Sequence, residues 1–145
     1  MCNIKVFPIA AVIVTVLTGC MTTPATYHVE NTRTFDQPFE LVWEKLVQFF
    51  AIRNIPIKNI AKDSGVIYAE AISFNDDQAD CGDRGLWALF GRKATFNVFV
   101  IRSTEHPRVS VTTEFQETRR FQSSMMNVIC NSKGNIEKNI LDALN

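Results

Sequence analysis

Lys93-Ala94-Thr95-Phe96-Asn97-Val98-Phe99-Val100-Ile101-Arg102-Ser103 and, past Glu105-His106-Pro107, Arg108-Val109-Ser110-Val111-Thr112-Thr113-Glu114-Phe115-Gln116 form the stretch that decides the fold. The second segment alternates cleanly. Val109, Val111, Thr113 and Phe115 share one parity, and Ser110, Thr112, Glu114 and Gln116 the other, which is the period of a half-buried strand. Phe96 to Ile101 is apolar on both parities apart from Asn97, as a central strand covered on at least one face requires. The short connection makes the two an antiparallel pair.

Working outward, Ile55 to Ala61 and Val66 to Phe74 read as a second hairpin, with Lys62-Asp63-Ser64-Gly65 supplying the turn chemistry. Upstream, Thr26 to Phe35 alternates: Tyr27, Val29 and Phe35 lie on one parity, while His28, Glu30, Thr32 and Thr34 are polar on the other. A half-buried strand is expected there. Asp36-Gln37-Pro38 then opens a helix, with Asp36 or Gln37 near the N-cap and Pro38 in the first turn. Phe39, Val42, Trp43, Leu46 and Phe50 recur at helical spacing as one apolar stripe, and Asn54 with Pro56 ends the helix. After Glu117 the chain reads as irregular up to Cys130, and Arg119-Arg120 as a solvated basic pair. A terminal helix is expected from an N-cap at Ser132, with Ile136, Ile140, Leu141 and Leu144 on its inner side.

The predicted order is therefore β-α-β-β-β-β-α. Strands joined by hairpins make an antiparallel sheet, and two one-sided helices pack on one of its faces, so the fold class is an α+β two-layer domain. That domain spans residues 26–145. The order, with Phe35, Pro38 and Trp43 at the start of the helix, the Lys-Asp-Ser-Gly hairpin, and Cys130-Asn131-Ser132-Lys133-Gly134 leading to Glu137, resembles small bacterial lipoproteins. It is also similar in layout to the helix-grip domains of the BamC lipoproteins of the outer-membrane β-barrel assembly machine.

Residues 1–19 have the layout of a secretory leader. Lys5 is a lone positive charge, Val6 to Leu17 is apolar, and Thr18-Gly19 are small. A bilayer-spanning helix takes about 20 apolar residues, more than this run offers. Leu17-Thr18-Gly19-Cys20 resembles the lipobox of lipoprotein signal peptides. The resemblance implies a diacylglyceryl group on the Cys20 thiol, cleavage before Cys20 and acylation of the new amino group. Several acyl chains hold a protein stably where one does so only marginally. The resemblance also implies a sorting rule in which Asp after the lipidated cysteine often retains a lipoprotein in the inner membrane; Met21 is not Asp, so the expected location is the outer membrane, facing the periplasm. Residues 20–25 then form the lipidated cysteine and a short linker.

Cys2 leaves with the leader and Cys20 is lipidated, so Cys81 and Cys130 remain. In an oxidising compartment such a pair is expected to form a disulfide, with free thiols as the alternative. The chain carries 15 basic and 15 acidic residues, which argues against nucleic acid. Asp76, Asp77, Asp80 and Asp83 fail the calcium-loop pattern, because Cys81 stands where Gly is needed and Trp87 where Glu is needed. They are expected to form a solvated acidic loop. His28 and His106 match no ligand spacing and accompany no Gly-x-Ser-x-Gly elbow. Glu40 and Glu44 sit one turn apart on an exposed helix face rather than across a cleft. No enzyme, metal or cofactor is expected.

Gly85-Leu86-Trp87-Ala88-Leu89-Phe90-Gly91 stands out. Either it folds back to close the core or starts the next strand early, or it exposes Leu86, Trp87, Leu89 and Phe90 to a partner, a lipid or the bilayer. The expected function is a non-enzymatic binding or scaffolding module, anchored to the membrane through Cys20 and contacting another envelope protein. The alternative is a carrier of a hydrophobic ligand in a cavity between sheet and helices.

Overall fold

The computed structural model describes residues 22–103 and 106–145. The leader and the lipidation expected at Cys20 lie outside the described residues. The elements run β1 (Thr32–Thr34), α1 (Phe39–Ile52), β2 (Ile57–Ala61), β3 (Val66–Ala71), β4 (Ala79–Asp80), β5 (Ala88–Ile101), β6 (Arg108–Phe121), β7 (Ser124–Ser132) and α2 (Asn135–Asp142). The strands make an antiparallel sheet in the order β2-β3-β5-β6-β7-β4, and β1 pairs with the start of β6. The fold is α+β.

Register and parity together decide the core. Ile67 opposes Val98, Val98 opposes Val111, Val100 opposes Val109 and Ala69 opposes Phe96, so the apolar residues of three strands share one face. All of them are buried. Both helices cover that face. α1 lays Val42, Trp43, Leu46, Phe49 and Phe50 on it, with the Phe50 ring 5.9 Å from that of Phe96. α2 brings Ile136, Ile140 and Leu141, and the Thr113 hydroxyl donates to its buried Glu137. Burying a side chain of the Leu or Phe class contributes about 2 kcal/mol. No helix among the described residues covers the opposite face, with Tyr68, Asn97, Thr112 and Glu114.

Several expectations are corrected. The segment read as irregular after Glu117 is strand: β6 runs on to Phe121 and turns into β7. The turn residue Gln122 sits at φ 53, a conformation usually filled by Gly or Asn, and so gives no sequence signal. The predicted first strand shrinks to Thr32–Thr34, because only that piece meets β6. No side chain caps α1; the Pro38 carbonyl accepts from Leu41 and Val42, and Gln37 donates instead to the Leu144 carbonyl. α2 is preceded not by Ser132 but by Gly134 at φ 82, whose amide donates to the Ser132 hydroxyl. The left-handed turn there favours a residue without Cβ.

Candidate functional site

The two helices cover only part of the inner face. Where β5 begins and β6 ends, the cover is the connection from β3 to β5, residues 72–87. Phe74 stacks edge-on against Phe115 at 5.0 Å, and the chain touches down on β7 as β4, with Ala79 opposite Ser132 and Asp80 opposite Asn131. It then returns to start β5.

Buried charge fastens this connection. Phe115, Glu117 and Arg119 continue the inward parity of β6, and both Glu117 and Arg119 are buried. Glu117 accepts from Arg92 at 2.8 Å, from Arg119 at 3.0 Å and from Arg84 at 3.2 Å. Arg119 donates onward to the carbonyl oxygens of Cys81 at 2.6 Å, Asp83 at 2.8 Å and Gly82 at 3.3 Å. Arg92 also bonds the Phe74 carbonyl and pairs with Asp76. A buried guanidinium left without acceptors would be costly, so Arg119 needs these loop carbonyls as much as they need it. Burial pushes the Glu117 carboxyl up, but hydrogen bonds from Arg92, Arg84 and Arg119 outweigh it and hold the group below the usual carboxylate range. Arg119 is thus an interior clamp, not half of a solvated pair.

Cys81 and Cys130 are joined in a disulfide, with the sulfurs 2.06 Å apart. The bond ties the returning connection to β7 one residue before Arg119's contacts with Gly82 and Asp83.

Beyond that fastening lies the apolar segment. Trp87 is half-buried and packs on Phe121, ring centroids 5.8 Å apart. Ala88, Leu89 and Phe90 already belong to β5, so the next strand does start early, yet the side chains of Leu89 and Phe90 are not withdrawn from solvent. A bulge between Leu89 and Gly91 inserts Phe90 as the extra residue, and such a bulge re-aims a side chain. Leu86 is 84% exposed, Phe90 59% and Met125, at the start of β7, 54%. These residues all stand at one end of the sheet, because Ala88 opposes Arg120 and Arg120 opposes Met125. That end is the candidate site.

The start of the described chain runs along the same connection. Gly134 lies against His28 and Val29. Further back, the Tyr27 hydroxyl and the Ala25 amide donate to Asp80, and Asn131 donates to the Ala25 and Pro24 carbonyls. Further back still, the Asp83 amide donates to Thr22 through both its carbonyl and its hydroxyl oxygen. Read from Val29 to Thr22, this strap climbs towards Leu86. Gly82, at φ +68, is its seat: a Cβ there would come within 2.3 Å of the Thr22 carbonyl oxygen. Residues 22–25 are therefore docked rather than a free linker. Nor is the acidic loop merely solvated. Asp80 takes hydrogen bonds from the Gly82 amide, the Ala25 amide and the Tyr27 hydroxyl, which lower its pKa in that order of importance. Asp83 accepts from the Gly85 amide.

No group of His, Cys, Asp and Glu side chains suited to a metal occurs among the described residues. An open cleft of about 400 Å³ lies between the end of α1 and β3, lined by Arg53, Ile55, Ala71, Phe74 and Phe96 among others. The sequence reading singled out Leu86, Trp87, Leu89, Phe90, Cys81 and Cys130; the structure places Cys81, Leu86 and Trp87 on this connection, Leu89 and Phe90 at the start of β5, and Cys130 on β7, bonded to Cys81. It missed Glu117, Arg119 and Phe121, whose signal was the unbroken inward parity from Val109. No family model matches the chain, and no curated protein matches it.

Proposed function

We propose that the chain is a non-enzymatic, lipid-anchored lipoprotein of the outer membrane that works by surface contact through the tip formed by Leu86, Trp87, Leu89 and Phe90. The leader and lipobox-like Leu17-Thr18-Gly19-Cys20 support the anchor, and the Cys81–Cys130 bond suits the oxidising envelope. The helices laid across one face of an antiparallel sheet support the helix-grip reading. One observation carries the function. The exposed side chains stand on a segment fixed by a disulfide, a buried carboxylate and three arginines. Fixing an apolar surface before contact removes the ordering cost of binding, and large exposed apolar patches mark interaction sites.

Photo-crosslinking residues placed at Leu86 and Phe90 in intact cells should form adducts at both positions, while Phe99, at the other end of β5, should form none. Absence of adducts at both tip positions removes the proposed surface. The second reading is a carrier of a hydrophobic ligand, supported by the cleft beside Ile55 and Phe74. It requires lipid to copurify with the protein and to leave when Ala71→Trp fills the cleft.

A further inference from the structure

We infer that the tip is a bilayer-docking surface, and that its occupant is the phospholipid leaflet in which the Cys20 acyl chains are buried. The inference rests on the lipoprotein reading above and names the partner of the same site.

The described chain starts beside the tip. Thr22 is bonded to Asp83, three residues before Leu86. Cys20 is two residues from Thr22, and two residues of chain span at most about 7 Å. Whatever path the intervening residue takes, a lipid on Cys20 is tethered within about 7 Å of Thr22. The glycerol backbone of its lipid sits at the level of the headgroups. With so short and docked a strap, the surface beside Thr22 is held against those headgroups whenever the anchor is inserted.

The side chains held there are apolar. Leu86, Phe90 and Met125 are the most exposed apolar groups at this end of the sheet, Leu89 and Phe121 are exposed beside them, and the half-buried Trp87 packs on Phe121. Leu, Phe and Trp are the residues that interfacial protein surfaces bury at the boundary of headgroup and acyl chain. Charge agrees. Residues 85–91 and 118–126 carry no carboxylate and one cation outside the buried Arg119 clamp, Arg120, which suits anionic headgroups, while Asp83 stands just outside the tip. The strands then rise from the membrane. Phe99 is ten residues up β5 from Leu89, roughly 33 Å away, and the face of the sheet opposite the helices is turned sideways. The acyl chains supply attachment and the tip supplies orientation.

The test uses the native, acylated full chain in vesicles of phosphatidylethanolamine and phosphatidylglycerol, with lipids brominated along the acyl chain as contact quenchers. The chain has two tryptophans, so Trp43→Phe leaves Trp87 as the only reporter, and Trp87→Phe leaves the buried Trp43. Loss of Trp87 emission, with Trp43 emission unchanged, is expected. Leu86→Asp combined with Phe90→Asp, both at exposed positions, should restore Trp87 emission. The same samples are digested and the Cys20 peptide is weighed. Acylated Cys20 with unquenched Trp87 overturns the bilayer inference, assigns the tip to a protein partner and leaves the lipoprotein reading standing. Unmodified Cys20 overturns both. If Trp43→Phe does not fold, the difference between the wild-type chain and Trp87→Phe gives the same reading.

Discussion

Arg119 Nη2 donates to the Cys81 carbonyl oxygen at 2.6 Å, so a side chain from the interior of β6 grips the main chain at the residue that also carries the disulfide. Two fastenings of different chemistry thus meet at one point, and the apolar tip begins just beyond it. The arrangement explains how a surface of Leu and Phe side chains stays exposed instead of collapsing onto the core.

Glu117→Gln should destabilise the protein by about 3 kcal/mol, because three arginines lose the buried charge that compensates them. Urea unfolding with the disulfide intact measures it. The effect carries a pH signature. Glu117 is held below its ordinary pKa, so its contribution is fully present above the ordinary carboxylate range and is lost as pH falls through the folded value. The gap between wild type and variant should be widest near neutrality and close in acid.

Removing the disulfide by Cys81→Ser with Cys130→Ser opens a link across 49 residues and should cost about 4 kcal/mol in the chain-entropy account. Amide exchange should accelerate first from Cys81 to Trp87. Uniform acceleration across β5 and β6 instead would show that the bond supports the whole sheet rather than the tip.

Gly82→Ala should displace the strap. The added Cβ meets the Thr22 carbonyl oxygen at 2.3 Å, and φ +68 disfavours any L side chain. A cost of about 1–3 kcal/mol is expected. Faster exchange at the Asp83 amide, which Thr22 accepts, is the specific readout. An unchanged Asp83 amide would mean the strap is not seated on Gly82.

Asp80 makes the same strap sensitive to acid. Its pKa is lowered chiefly by the Gly82 amide, then by the Ala25 amide and the Tyr27 hydroxyl, so its hold is present above the ordinary carboxylate range and fades as pH falls through the lowered value. Exchange at Ala25 should rise in that window, and Asp80→Asn should abolish the pH dependence.

Leu86→Asp and Phe90→Asp should leave thermal stability within about 0.5 kcal/mol, since both side chains are largely exposed. Trp87→Ala, which removes the packing on Phe121, should cost about 1 kcal/mol or more. A large loss from Leu86→Asp would show that the tip is core.

Much of this was legible in advance. The parity of Val109, Val111 and Phe115 placed the buried face, and the stripe from Val42 to Phe50 placed α1, because both periods are set by side-chain burial. β7 was not legible, since its turn at Gln122-Ser123 lacks Gly or Asn and its Met-rich strand alternates weakly. Arg119 misled for a related reason. A charged pair reads as surface until the loop carbonyls that satisfy it, some 36 to 38 residues away in sequence, are brought over it. At the site, the pairing of Cys81 with Cys130 followed from compartment and count. The docking of Thr22 on Asp83 is a long-range contact with no local pattern.

The central claim is that acyl chains on Cys20 hold this tip at a membrane. Mass spectrometry of the amino-terminal peptide, taken from protein isolated from its own membranes, tests it most directly. The account predicts a peptide that begins at Cys20 and carries a diacylglyceryl thioether and an acylated amino group. A peptide with the leader intact and the thiol unmodified would contradict it.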